Sequence, residues 1–281
     1  MSPLAVLAVL CAAALHASWN AIAHAVTDRL AGFTVLVGTA AVCGALLVPF
    51  TGLPDPAAWP YLVASAALHV LYHLALMASY RTGDFGQVYP LARGTSPWVV
   101  ALVAVLLLGE EMSGSSLFAV LVISAGLTAL VFAGGRPGRA QAPALLAALA
   151  TGLLIAAYTV VDGLGVRVWD DPVGYIAWLM LLQGPPFAAV AVLARRRALP
   201  GALRPVWRVG VVGGVLATLS YGLVLWAQTF GVLAGVAALR ESSIVFGAVI
   251  GTVLFGERFG RVRVVSAVAV ALGILLLYVD P

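Results

Sequence analysis

The chain has 281 residues, 63% of them hydrophobic and only 9% charged, with a formal net charge of +4. Soluble domains carry about 25% charged residues, so this composition excludes a water-soluble fold and points to an integral membrane protein. The positive balance does not point to nucleic acid, because most of the basic residues, all arginine, fall between apolar runs as loop anchors.

A spanning helix needs roughly 20 apolar residues. Breaks at Gly, Pro and Arg clusters divide the chain into ten such segments. The first, residues 3–24, lacks the positive region of a secretory signal and reads as a retained helix; His16, Trp19 and Asn20 share one of its faces. Residues 30–50 follow, then residues 57–80, where His69, Tyr72, His73 and Tyr80 fall along one stripe. Residues 84–108 contain Pro90 and Pro97 and align Tyr89, Arg93 and Ser96. Residues 114–133 complete the first five. The next segment, 141–163, carries Tyr158 and, close to its end, Asp162. Residues 172–194 hold Gln183 beside the Pro185-Pro186 pair, and residues 207–229 hold Tyr221 and Gln228. Residues 232–255 carry Arg240, Glu241 and Ser243, and residues 262–279 form the last segment. Connections are short everywhere except between Arg195 and Arg204. The expected fold class is all-α, with ten transmembrane helices.

The two halves repeat. Arg93, Ser96, Gly109, Glu110 and Gly126 recur 147 positions later as Arg240, Ser243, Gly256, Glu257 and Gly273. Weaker matches, Trp19-Asn20 with Tyr158-Thr159, support a division into five-helix repeats at residues 1–139 and 140–281. An odd number of spans per repeat makes the second enter the membrane from the opposite side. The halves are then inverted about a pseudo-twofold axis in the membrane plane, with a site near the midplane where they meet.

Twelve arginines fall in odd-numbered connections or at the span starts that adjoin them, and one, Arg167, falls in an even-numbered connection. The positive-inside rule places the odd connections in the cytoplasm and both termini outside it. The Arg195-Arg196-Arg197 run reads as a topology anchor or a contact to anionic lipid. Glu110 and Glu257 each follow a glycine that ends a helix, a structural arrangement.

Arg93 and Arg240 lie roughly 12–15 Å from their helix starts at 1.5 Å per residue. Charge at that depth is costly and marks function or a pair, and a guanidinium fork suits a carboxylate or phosphate. Glu241 either neutralises the arginines or carries a coupled proton. The histidines either carry a proton near neutral pH or are satisfied by backbone carbonyls and adjacent helices. His69 and His73 have a metal-ligand spacing, but no nearby carboxylate or cysteine completes a set, so no metal and no cofactor is expected. There is no Gly-x-Ser-x-Gly, no His-Glu-x-x-His and no Walker loop.

The doubled Arg…Ser…Gly-Glu pattern in two five-helix halves resembles the drug/metabolite transporter superfamily, specifically its EamA-type members, over essentially the whole chain. The strings Leu15-His16-Ala17-Ser18-Trp19-Asn20 and Tyr89-Pro90-Leu91-Ala92-Arg93-Gly94 are similar to a subgroup associated with phosphonate-utilisation genes. The resemblance implies a central cavity lined by helices 1, 3, 4, 6, 8 and 9, and alternating access. Familiar members often carry a basic cluster between helices 2 and 3; here residues 51–56 have no basic residue and the cluster falls between helices 7 and 8.

The expected protein is a secondary transporter in the cell (inner) membrane, an exporter of small polar metabolites with an anionic group, such as amino acids or phosphonates. Its partners are a small-molecule substrate and the lipid bilayer. Arg93 and Arg240 bind the anion; His16, Trp19, Asn20, His69, Tyr72, His73, Tyr89, Ser96, Tyr158, Tyr221 and Ser243 complete the pocket. Glu241 and His73 are the proton-coupling candidates. The alternatives are a membrane-embedded enzyme built on His16, His69 and His73, or a non-transporting sensor or scaffold.

Overall fold

The computed structural model describes residues 3–82, 85–109, 111–132, 138–230, 233–247, 250 and 261–279, and among them the regular structure is helix alone. The helices are α1 (Pro3–Ala25), α2 (Arg29–Leu47), α3 (Trp59–Thr82), α4 (Phe85–Leu106), α5 (Gly114–Ala129) and α6 (Ala142–Trp169). They continue with α7 (Pro172–Arg195), the short α8 (Leu199–Leu203), α9 (Trp207–Gln228), α10 (Leu233–Arg240) and α11 (Arg261–Val279). Among the described residues eight helices are long and apolar enough to cross a membrane. Asp28, Ser113 and Asp171 cap α2, α5 and α7 by accepting from backbone N–H groups, as short polar side chains do at helix starts. Gly109 follows α4 at a φ of +66°, the left-handed geometry expected of a terminating glycine. Glu110, Gly256 and Glu257 lie outside the described residues.

Two boundaries differ from expectation. Helix α6 does not stop at residue 163 but runs to Trp169, where left-handed Asp170 (φ 56°) caps it. Gly163 and Gly165 are not stop signals; a Cβ on Gly163 would run into Leu233 and one on Gly165 into Tyr175. Glycine lets helices approach closely in a membrane and is tolerated in their interiors. The segment 232–255 is not one continuous helix. It breaks after Arg240 into tight turns, with Glu241 N donating to Ala238 O at 3.0 Å and Ser242 N to Leu239 O at 3.1 Å, before helix resumes over residues 243–247. Residues 251–255 of that segment lie outside the described residues.

The molecule is polar inside and greasy outside. Leu4, Leu46, Leu71, Leu106 and Leu146 are exposed, whereas Asn20, Ser65, His69, Arg93, Asp162 and Glu241 are buried. Lipid cannot solvate such groups, so they turn toward one another.

The helix pairing is reciprocal between the halves. Helix α1 packs on α9 as α3 packs on α6, while α2 packs on α7, α4 on α10 and α5 on α11. Small residues let these pairs close up. Gly126 of α5 faces Ser266 and Ala269 of α11, and Gly273 of α11 faces Ala119 and Ile123 of α5. Gly44 of α2 faces Ala177, Met180 and Leu181 of α7, while Gly184 of α7 faces Ala41 of α2.

Candidate functional site

The site has two parts. The first is a small cavity of about 60 Å³ whose wall includes His16 and Trp19 of α1, His69, Tyr72 and His73 of α3, Tyr158 of α6 and Tyr221 of α9. Helices α2 and α7 close it with Leu36, Val37, Ala40, Met180 and Gln183. The rings interlock: His69 stacks on Tyr158 at 4.2 Å between centroids, and Tyr221 meets His69 edge-on at 5.3 Å. A space of this size holds only a few waters, so a metabolite needs the rings to part.

The hydrogen bonds assign two histidine tautomers, because a carbonyl only accepts and an indole N–H only donates. His69 Nδ1 donates to Ser65 O at 3.0 Å, which leaves its Nε2 with a lone pair. His16 Nδ1 accepts from Trp19 Nε1 at 3.3 Å, which puts the His16 proton on Nε2. Asn20 is tied locally, its Nδ2 donating to His16 O at 2.9 Å.

The second part is a buried charge cluster. Arg93 of α4 and Arg240 of α10 are each 2% exposed, and Glu241 between them is fully buried. Arg93 Nε lies 2.9 Å from Glu241 Oε2, and Arg240 Nε lies 3.8 Å from Glu241 Oε1. Arg93 Nη2 also donates to Ser243 Oγ at 3.3 Å. Two cations against one anion leave a net positive charge, and Arg93 Nη1 and Arg240 Nη2 have no hydrogen-bond partner. Buried donors are ordinarily satisfied, so these N–H groups mark a place where an acceptor fits. His16, Tyr72 and Tyr158 of the cavity wall lie within electrostatic reach of both guanidinium groups.

The structure thus brings His16, Trp19, His69, Tyr72, His73, Tyr158 and Tyr221 onto one wall, and Arg93, Arg240, Glu241 and Ser243 into the adjoining cluster. Tyr89 and Ser96 are buried on α4, and Asn20 on α1, outside the residues that line the cavity. Helices α4 and α10 supply the charge cluster rather than the cavity wall, a departure from the lining expected by resemblance. Helices α2 and α7 fill that place because Gly44 and Gly184 let them cross closely.

In the sequence Asp162 lies close to the end of the segment 141–163. It is fully buried and receives hydrogen bonds from Tyr175 at 3.0 Å and from Tyr221. It ties α6, α7 and α9 together. The signal for it was present: apart from Asp84, the first residue of the segment 84–108, only Asp162 and Glu241 are acids inside the predicted spans. Nothing in the sequence marked Tyr175, which reaches Asp162 because the turn at Asp170-Asp171 brings the start of α7 back against the end of α6.

Comparison with known proteins adds the family. Residues 142–279 match the model of the EamA-like transporter family. The chain belongs to the EamA-like transporter family. This is a family of membrane transporters within the drug/metabolite transporter superfamily, so the EamA-like chain is a multi-pass membrane protein of the transporter class. A solved crystal structure is similar in fold at 20% sequence identity, with a TM-score of 0.74 over 99% of this chain and 98% of its own. At that identity the likeness concerns the fold alone. No curated protein matches the chain.

Proposed function

We propose that this EamA-like protein is a gradient-driven exporter of small polar metabolites bearing a carboxylate or phosphonate, such as amino acids or phosphonates. One observation carries the reading: a buried, net-positive Arg93–Glu241–Arg240 cluster with unpartnered guanidinium N–H groups beside an aromatic and histidine cavity. The anionic group docks on the free N–H groups and the rest of the molecule occupies the widened cavity. His73 and Glu241 are the groups proposed to carry a coupled proton.

The proposed architecture is ten spans in two inverted five-helix repeats, residues 1–139 and 140–281, working by alternating access. Reciprocal contacts support a twofold relation between the halves: Gly126 with Gly273, and Gly44 with Gly184, each meet the other's helix. Such mutual contacts are what a twofold axis generates. The proposed location is the inner membrane, with the arginine-rich connections in the cytoplasm and both termini on the far side.

The test is a thermal-shift screen of amino acids, alkylphosphonates, sugar phosphates and neutral analogues, followed by counterflow in proteoliposomes with each hit. Ligands that bind the folded state raise Tm by mass action. Anionic compounds are expected to stabilise the protein while their neutral amides do not. Folded Arg93→Gln protein is expected to lose counterflow. Stabilisation by neutral analogues alone, or wild-type counterflow in Arg93→Gln, would overturn the reading.

A further inference from the structure

A second opening lies on the arginine-bearing end of the bundle, a groove of about 790 Å³ between the start of α2, the end of α3 and the end of α7. Among the described residues Arg29, Arg81 and Arg195 stand around it, against one acid, Asp28. That acid is already engaged: its Oδ1 meets Arg195 Nη2 at 3.0 Å and accepts from Ala31 N at 3.2 Å. Arg29 Nε is buried with no hydrogen-bond partner. Counted over its described lining residues, the groove is therefore positive.

Three rings separate this groove from the central cavity. On α2 the cavity takes Leu36 and Val37, the groove takes Arg29 and Leu30, and Phe33 falls between. On α7 the cavity takes Gln183, the groove takes Val190, and Phe187 falls between. On α3 the boundary is His73. The His73 ring meets Phe33 at 5.6 Å and Phe187 at 5.6 Å, and both phenylalanines are 1% exposed. The opposite end of α7 is held by direct contacts. There Trp178 packs on Trp59 at 5.6 Å and donates to Gly52 O at 3.3 Å, and Tyr175 is bonded to Asp162.

We propose that the groove is a loading site for the carboxylate or phosphate group of a small water-soluble anion. Phe33, His73 and Phe187 are the gate between it and the cavity. This gives the proposed transporter a first contact that selects charge, ahead of the buried Arg93 cluster. It rests on that reading for its purpose, but its test needs no transport.

Both free cysteines, Cys11 and Cys43, are replaced by serine, and Ala78→Cys is introduced in the groove. Its modification is timed with an anionic and a cationic methanethiosulfonate reagent of similar size. A positive recess concentrates anions, so the anionic reagent is expected to react about tenfold faster at low salt. That preference is expected to collapse in the Arg29→Gln/Arg81→Gln double variant and to persist in Arg29→Lys. Inorganic phosphate is expected to slow the anionic reagent equally in phosphatidylcholine vesicles with and without phosphatidylglycerol. Equal rates for the two reagents would overturn the site. Protection by phosphatidylglycerol without protection by phosphate would assign the groove to a lipid headgroup and overturn the soluble anion. For the gate, a cavity reporter at Ala217→Cys is expected to react slowly, and as fast as Ala78→Cys once Phe187→Ala is added. An unchanged rate would sink the gate. A protein that passed these tests and moved nothing in counterflow would keep the site and lose the transporter reading.

Discussion

The two copies of the arginine segment began alike and have been put to different use. In the first, Arg93-Gly94-Thr95-Ser96, helix α4 runs unbroken past the arginine in spite of Pro90 and Pro97. Gly94 presses α4 onto α5; a Cβ there would stand 2.9 Å from Leu127 Cβ and 3.2 Å from Ser124 O. In the second, Arg240-Glu241-Ser242-Ser243, a glutamate occupies the glycine's place and the helix breaks at 241–242. The break turns the carboxylate inward, where it meets the arginine of the other copy at 2.9 Å and its own neighbour at 3.8 Å. One copy therefore keeps a scaffold and the other supplies a counter-ion. Tight-turn geometry inside a membrane helix often accompanies a hinge or binding function, and here it accompanies Glu241, an acid whose counterpart in the first copy is Gly94.

Removing that acid is the most direct way to break the comparison. Glu241→Ala leaves two buried guanidinium groups without their carboxylate and is expected to cost about 3–5 kcal/mol, read as a fall in Tm in detergent. Arg93→Ala is expected to cost more than Arg240→Ala, because its contact with Glu241 is the shorter. A double-mutant cycle with Glu241→Ala isolates each coupling. Equal couplings would erase the asymmetry.

A smaller effect sharpens the scaffold side. Gly94→Ala overpacks the α4–α5 contact and is expected to lose about 1–3 kcal/mol. Gly235→Ala in α10 meets nothing within 4 Å and is expected to gain up to about 1 kcal/mol from helix propensity. Denaturant titrations of the two variants should move in opposite directions.

The smallest effect concerns the matched serines. Ser243 accepts from Arg93 at 3.3 Å, whereas Ser96 Oγ is buried with no partner. Ser243→Ala is expected to cost about 1 kcal/mol, and Ser96→Ala to be neutral or slightly stabilising. Equal losses would mean that the serines play the same part in both copies.

Much of this molecule was written in the chain itself. Apolar runs of spanning length placed the helices, because a bilayer tolerates backbone only when a segment satisfies its own hydrogen bonds. The 147-residue recurrence paired Arg93 with Arg240, and helical spacing put His69, Tyr72 and His73 on one stripe. Those are properties of local pattern, and local pattern survives without knowledge of neighbours. Which partner each polar group finds was decided only in three dimensions. Gly163 and Gly165 read as helix breakers until Leu233 and Tyr175 filled the space a side chain would take. Asp162 looked peripheral until α6 continued past it and two tyrosines from other helices closed on its carboxylate. Glu241 could sit between two arginines 147 positions apart only once α10 was broken and packed on α4. A sequence states how much charge lies at membrane depth; contacts between distant helices, set by close packing of small residues, determine what that charge faces.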